Sequence, residues 1–187
     1  SGTVDTWLYL NNYTSTDHGT SNASRNPAII SRGGTYFVLG IDHAGALVCY
    51  IYTGSVTSFK TADHVVPTNK WVHITMTWTS SATKLYVDGA LVASSTSILI
   101  STMASAHETA AQSYVPIGGH PNANEEKLDG YLDEFYATSM IDTPQIKWTH
   151  TQTAGAGNKD AYNVSSWKTL GHEFTDDNAT KLLVHGD

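Results

Sequence analysis

Residues 71–89, WVHITMTWTSSATKLYVDG, constrain the fold more than any other stretch. Val72, Ile74, Met76 and Trp78 alternate with His73, Thr75 and Thr77, the period of two that marks a half-buried antiparallel strand. The small polar run 79–82 suits a turn. Leu85 and Val87 then alternate with Lys84, Tyr86 and Asp88 in a second strand. Asp88-Gly89 supplies the next reversal, because glycine takes positive φ at no steric cost, and Leu91-Val92 opens a third strand. A chain that begins folding as such a meander has to bury one face of it against further hairpins.

The rest of the sequence agrees with that demand. Of 187 residues, 40% are hydrophobic and only 14% charged, and Ser, Thr, Gly, Asn, Tyr and Trp are plentiful. That is the profile of an all-β protein of many short strands, long enough to enclose its own core. Strands are expected at 6–10, 36–42, 46–52 and 131–137, with a four-residue turn at 42–45. Residues 98–100 read as a short strand, 54–66 as irregular, and Thr143-Pro144 as the start of a short helix through Trp148. The polar segments 11–25 and 94–113 read as long loops, where function often resides.

Three motifs give the arrangement a family resemblance. W-x-H-I-T-x-T-W with K-L-Y-V-D-G-x-L-V is the first. Ile117-Gly118-Gly119 followed by Leu128-Asp129-Gly130-Tyr131-Leu132-Asp133-Glu134-Phe135 is the second. Ala28-Ile29-Ile30-Ser31-Arg32-Gly33-Gly34 ahead of the strand from Tyr36 is the third. Taken in their order along the chain, the third motif first, they resemble laminin G-like domains of the concanavalin A-like superfamily, over roughly residues 4–148. The implied fold is all-β: a two-sheet antiparallel β-sandwich of jelly-roll type. The resemblance also implies buried places for Trp71, Trp78, Phe37 and Phe135, and Trp7 is expected in the core as well.

The organisation read from this is a sandwich at 1–148, a Thr/Gly/Ala-rich linker at 149–173, and a strand within 174–187. That last segment resembles the start of a laminin G-like domain, whereas the family's first strand is missing before residue 6. Two explanations stand level. Either a next repeat begins there, or the strand folds back and makes the domain circularly permuted. Without an initiator Met or signal peptide, the chain reads as part of something larger.

Composition narrows the partners. A net charge of −7 and only two arginines, Arg25 and Arg32, disfavour nucleic acid and anionic membranes. No stretch reads as a membrane span, and a single cysteine, Cys49, rules out an internal disulfide.

Enzymatic chemistry on this fold would need paired carboxylates across a cleft, about 5–9 Å apart. The superfamily's glucanase and lyase motifs are missing, as are G-x-S-x-G and H-E-x-x-H. A non-catalytic module is expected. The resemblance implies a Ca²⁺ held by Asp133 and Asp187, with Asp129 and Glu134 as lesser ligands. Hard carboxylate and carbonyl oxygens suit that ion.

Sugar binding wants an aromatic platform with planar polar partners. Tyr13, Tyr114, Tyr50, Tyr52 and Tyr86 are the aromatics expected to be exposed. A polar rim is expected from His18, Arg25 and Asn26 on one side and His120, Asn122 and Asn124 on the other. The expectation is a glycan-binding or adhesion module of a larger extracellular or virion-surface protein, with other modules of that chain as neighbours. A structural spacer, or a divergent polysaccharide-degrading enzyme, are the alternatives.

Overall fold

A computed structural model describes residues 1–13, 26–32, 37–52, 55–99, 117–119, 127–138 and 180–184. They form two antiparallel sheets. The first contains β1 (Gly2–Leu10), β6 (Trp71–Trp78), β7 (Thr83–Val87), β8 (Ala90–Ser95), β9 (Gly130–Thr138) and β10 (Thr180–Val184), in the order β10-β9-β1-β6-β7-β8. The second contains β2 (Ala28–Arg32), β3 (Phe37–Ile41), β4 (Leu47–Tyr52) and β5 (Val56–Lys60), in sequential order. Among the described residues there is no helix, and so none long and apolar enough to cross a membrane.

The alternation read in residues 71–89 becomes the β6–β7–β8 meander. Val72, Ile74 and Met76 enter the core with Leu85 and Val87. The first turn is held by Thr79, whose hydroxyl accepts the N–H groups of Ser81 and Ala82. The second turn places Asp88 and Gly89 at φ 49° and 78°. The Asp88 carboxylate accepts the His73 N–H at 2.9 Å, and the Asp88 N–H reaches the His73 carbonyl at 2.8 Å.

The core lies between the sheets. Val4, Leu8 and Leu10 of β1 meet Phe37, Leu39 and Ile41 of β3 and Leu47, Cys49 and Ile51 of β4. Strand β4 is apolar on both faces: Val48 and Tyr50 join Ala28 and Val38 in a second buried cluster. Such a continuous apolar run is what a strand covered on both sides requires. Tyr50, expected to be exposed, is therefore buried, and Tyr52 packs half-buried beside it.

Several local expectations are corrected. Residues 56–60, read as irregular, form β5 on the free edge of β4. The first strand begins at Gly2, four residues before its expected start. Ile98 and Leu99 are not a strand. Ile98 is a buried plug whose carbonyl accepts the Thr83 hydroxyl at 2.6 Å. The linker 149–173 and the helix at 144–148 lie outside the described residues. The apolar run near the C-terminus, β10, pairs with β9 through Leu182↔Ala137, Leu183↔Tyr136 and Val184↔Phe135.

Strand β1 is flanked on both sides. It pairs with β6 from Gly2↔Trp78 to Tyr9↔Trp71, and with β9 from Thr3↔Thr138 to Leu10↔Gly130. The β9 ladder contains a bulge: Thr6 faces both Glu134 and Phe135. Glu134 takes φ 50° there, and its N–H is held by the Asp133 carboxylate at 2.8 Å. The Thr6 hydroxyl donates to the Asp133 carbonyl at 3.0 Å.

Where β9 begins, Gly130 lies so close to β1 that a Cβ there would fall on the Tyr9 carbonyl oxygen. Gly130→Ala is expected to push β1 and β9 apart and cost about 1–3 kcal/mol or more, as forced overpacking does. Urea unfolding of the variant beside the parent checks this. An unchanged midpoint would mean that the strands are less closely apposed.

Candidate functional site

Strand parity on β1 puts Val4, Leu8 and Leu10 into the core and Thr3, Asp5, Trp7 and Tyr9 on the opposite face of the six-stranded sheet. The register then fixes their neighbours. Trp7 lies between His73 and Asp133, and Tyr9 between Trp71 and Tyr131. The outer face is thus built in rows that run across β9, β1 and β6.

The rows differ in character. In the middle of the sheet they are polar and buried. His73 Nε2 sits 2.5 Å from Asp5 Oδ1, and the Thr75 hydroxyl donates to the same oxygen at 3.3 Å. The Trp7 ring stands 5.1 Å from the His73 ring. Asp5, His73 and Thr75 are each at most 3% exposed. A paired acid and imidazole at that depth is a structural cross-strand tie, since an unpaired buried charge would be costly.

At the end of the sheet the row becomes aromatic and accessible. Tyr131, Tyr9 and Trp71 stand side by side on three adjacent strands. The Tyr9 ring lies 5.5 Å from Trp71 and 6.1 Å from Tyr131, at tilts of 59° and 57°. Tyr131 is 55% exposed, and Tyr9 and Trp71 are half-buried. Tilted contacts at these separations are favourable for aromatic pairs, so the rings hold one another in place. Three strands at the usual spacing make the row about 10 Å wide.

One step beyond, the ladder continues from β1 into Asn11, whose N–H donates to the Asp129 carbonyl at 2.8 Å. Asn11 Nδ2 donates to Asp129 Oδ1 at 2.9 Å, and Asn12 Nδ2 to Asp129 Oδ2 at 3.0 Å. These two amides hold the Asp129 carboxyl below the usual carboxylate range, the Asn11 bond being the larger cause. Asn12, Lys127 and Asp129 also line a small cleft of about 40 Å³ with Leu10 and Tyr13. Exposed Asn69 and Lys70 flank the other side, where the Asn69 N–H reaches the Leu10 carbonyl at 2.6 Å.

A larger hollow of about 280 Å³ lies between residues 117–118 and β9. Ile117, Leu128, Leu132 and Phe135 give it an apolar lining, with Asp133 the ionisable group among the described residues there. Among the described residues, its lining offers few of the polar partners that a sugar needs.

The sequence-predicted site residues fare unequally. His18, Arg25, Tyr114, His120, Asn122, Asn124 and Asp187 lie outside the described residues. Asn26 is buried at 2% exposure, so it is no surface rim. Tyr13 is no platform either. Its ring covers Gly45, and its hydroxyl donates to the Val66 carbonyl at 2.7 Å. Trp71, expected in the core, stands on the opposite face.

Of the residues implied for calcium, Asp133 is buried and engaged by the Glu134 N–H, and Asp129 is engaged by two amides. Among the described residues, no three His, Cys, Asp or Glu side chains come together as a metal site.

The fold and the sequence place the chain in a family. The laminin G-type model of the concanavalin A-like lectin/glucanases superfamily matches residues 1–145, and the chain belongs to that family. Among solved structures, it is similar to a protein of Bacteroides ovatus provisionally assigned as carbohydrate-binding, with TM-score 0.52 and 17% identity. That match covers 76% of this chain and 38% of the other, so the chain spans well under half of that relative's length. It also resembles the CBM40 of the Ruminococcus gnavus IT-sialidase, solved with α2,3-sialyllactose, at TM-score 0.46 and 15% identity over 69% of each chain. A third neighbour is tailspike protein 2 of bacteriophage CBA120, at TM-score 0.48 and 11% identity over 75% of this chain and 22% of that one. At these identities the likeness is one of fold. A search of curated proteins gives no match.

The two amides favour the charged form of Asp129, so its folded pKa lies below the unfolded value near 3.9. The stabilisation from these bonds is therefore complete above that value and lost as pH falls through the lower, folded pKa. Replacing Asn11 with Ala is expected to raise the Asp129 pKa toward the ordinary range, with the larger shift compared with Asn12→Ala. Carboxyl NMR titration of the two variants reads this directly.

Proposed function

We propose that the chain is a non-catalytic carbohydrate-binding module that takes a glycan along the Tyr131–Tyr9–Trp71 row. The observation that carries this reading is the in-register alignment of three aromatic rings on a solvent-facing end of the sheet. Sugar rings pack their C–H faces on such side chains, and flanking amides and carboxylates fix the hydroxyls. The superfamily membership and the carbohydrate-binding assignment of the Bacteroides ovatus neighbour support the same class. A setting in a larger extracellular or virion-surface protein, beside other modules, is part of the proposal.

The non-catalytic part rests on how the buried acids of this face are used. Asp5 is tied to His73 and Asp133 to the Glu134 N–H. A polysaccharide-cleaving site would instead want two carboxylates turned to a common substrate.

The test is a glycan array probed with the full chain, followed by titration of hits with Tyr131→Ala and Trp71→Ala. Each variant is expected to lose about fivefold in affinity, since one stacked ring contributes on the order of 1 kcal/mol. Tyr131→Ala should keep the parent's melting temperature because that ring is exposed. An array without hits would favour a structural spacer, and release of reducing ends from a hit would favour an enzyme.

Calcium remains a separate proposal, through Asp133 with Asp187. Excess calcium is expected to raise the melting midpoint relative to chelator, and Asp133→Ala to abolish the rise. Equal midpoints in both buffers would remove calcium from the account.

A further inference from the structure

Beyond the aromatic row, the polar groups at its border say which glycans fit. This inference rests on the platform reading above. Asp129 and Asn11 lie two residues from Tyr131 and Tyr9, just beyond the ends of β9 and β1, where the Asn11 N–H still reaches the Asp129 carbonyl, so they border the row about 7 Å further along the chain direction. An ionised carboxylate accepts hydrogen bonds and cannot donate them. Both amides must therefore point their NH₂ groups at Asp129, which fixes their otherwise ambiguous orientation. Their carbonyl oxygens remain as acceptors, together with the remaining lone pairs of the carboxylate. Asp129 and Asn12 are exposed and Asn11 is half-buried, so the brace meets solvent at the border of the row.

We propose that Asp129, braced by Asn11 and Asn12, makes this a site for neutral polyhydroxyl glycans and selects against carboxylated ones. A hexose offers several O–H donors, and a carboxylate and amide carbonyls are acceptors for them. A uronic or sialic acid brings a second carboxylate, which has no donor to give and is repelled by Asp129. The chain's net charge of −7 acts in the same direction over longer range. Ionisation of Asp129 persists at mildly acidic pH, because the amides favour the charged form. Lys127 and Lys70 are the exposed cations nearby in the chain, and they are the groups through which the opposite preference would act.

The experiment compares the full chain on neutral gluco-, manno- and galacto-oligosaccharides with their uronic-acid and sialylated counterparts, at low and high salt. Neutral glycans are expected to bind at least tenfold more tightly than matched acidic ones, with the gap narrowing as salt rises. Asp129→Asn is expected to lose tenfold or more on neutral glycans while the neutral-to-acidic ratio collapses toward one. Tyr131→Ala should weaken both classes alike. Preference for acidic glycans, especially one removed by Lys127→Ala, overturns the selectivity and leaves the platform standing. Unaltered neutral binding by Asp129→Asn also overturns it. Binding to neither class overturns the platform reading and this inference with it.

Discussion

The structure depends on the double register of β1. One strand, Gly2–Leu10, is hydrogen-bonded to β6 on one side and β9 on the other. Because side chains alternate, that pairing settles two surfaces at once. Val4, Leu8 and Leu10 close the core, and Asp5, Trp7 and Tyr9 organise the opposite face. A slip of one residue would exchange the two sets, burying a carboxylate among the leucines. The bulge opposite Thr6 absorbs an extra residue of β9. It lets Asp133 and Tyr136 both stay on the outer side while Phe135 enters the core.

The outer face changes character along its length. Its middle holds a buried carboxylate, imidazole and hydroxyl in mutual contact, an arrangement that favours one register over others more than it adds net stability. Its end holds one exposed ring, Tyr131, and two half-buried ones, Tyr9 and Trp71. The two regions share strands and serve different purposes: the first fixes where β1, β6 and β9 lie, and the second uses that fixed geometry. A platform on paired strands is also more rigid than one on loops, which limits the entropy lost when a ligand orders it.

How much of this was legible in the sequence depended on whether the determining contact is local. The β6–β8 meander was readable because alternation, Thr79 and Asp88-Gly89 act within a few residues of one another. The sandwich class was readable from three motifs in order. Strand β5 was missed because VTSFK spaces its two apolar residues, Val56 and Phe59, three apart, which breaks the period of two, and it leans on β4 for its pairing. Trp71 carries a usable signal, since it shares parity with His73 rather than with Val72. Family position argued for the core and masked it. Tyr9 and Tyr131 could not have been joined from sequence, because only the long-range register sets them side by side. The Asp129 brace is hidden for the same reason, its partners being 117 and 118 residues away.

That separation has a kinetic consequence. The β6–β8 and β3–β5 meanders close short loops and can form early, whereas joining Asn11 to Asp129 closes a loop of 118 residues. The β1–β9 seam is thus expected to form later than the meanders, and the aromatic row straddles it. Chains caught before that step carry both hairpin systems yet present Tyr9 and Tyr131 on unconnected strands. The row is therefore expected to assemble only when β1 has joined β9, so its formation would report that this seam has closed.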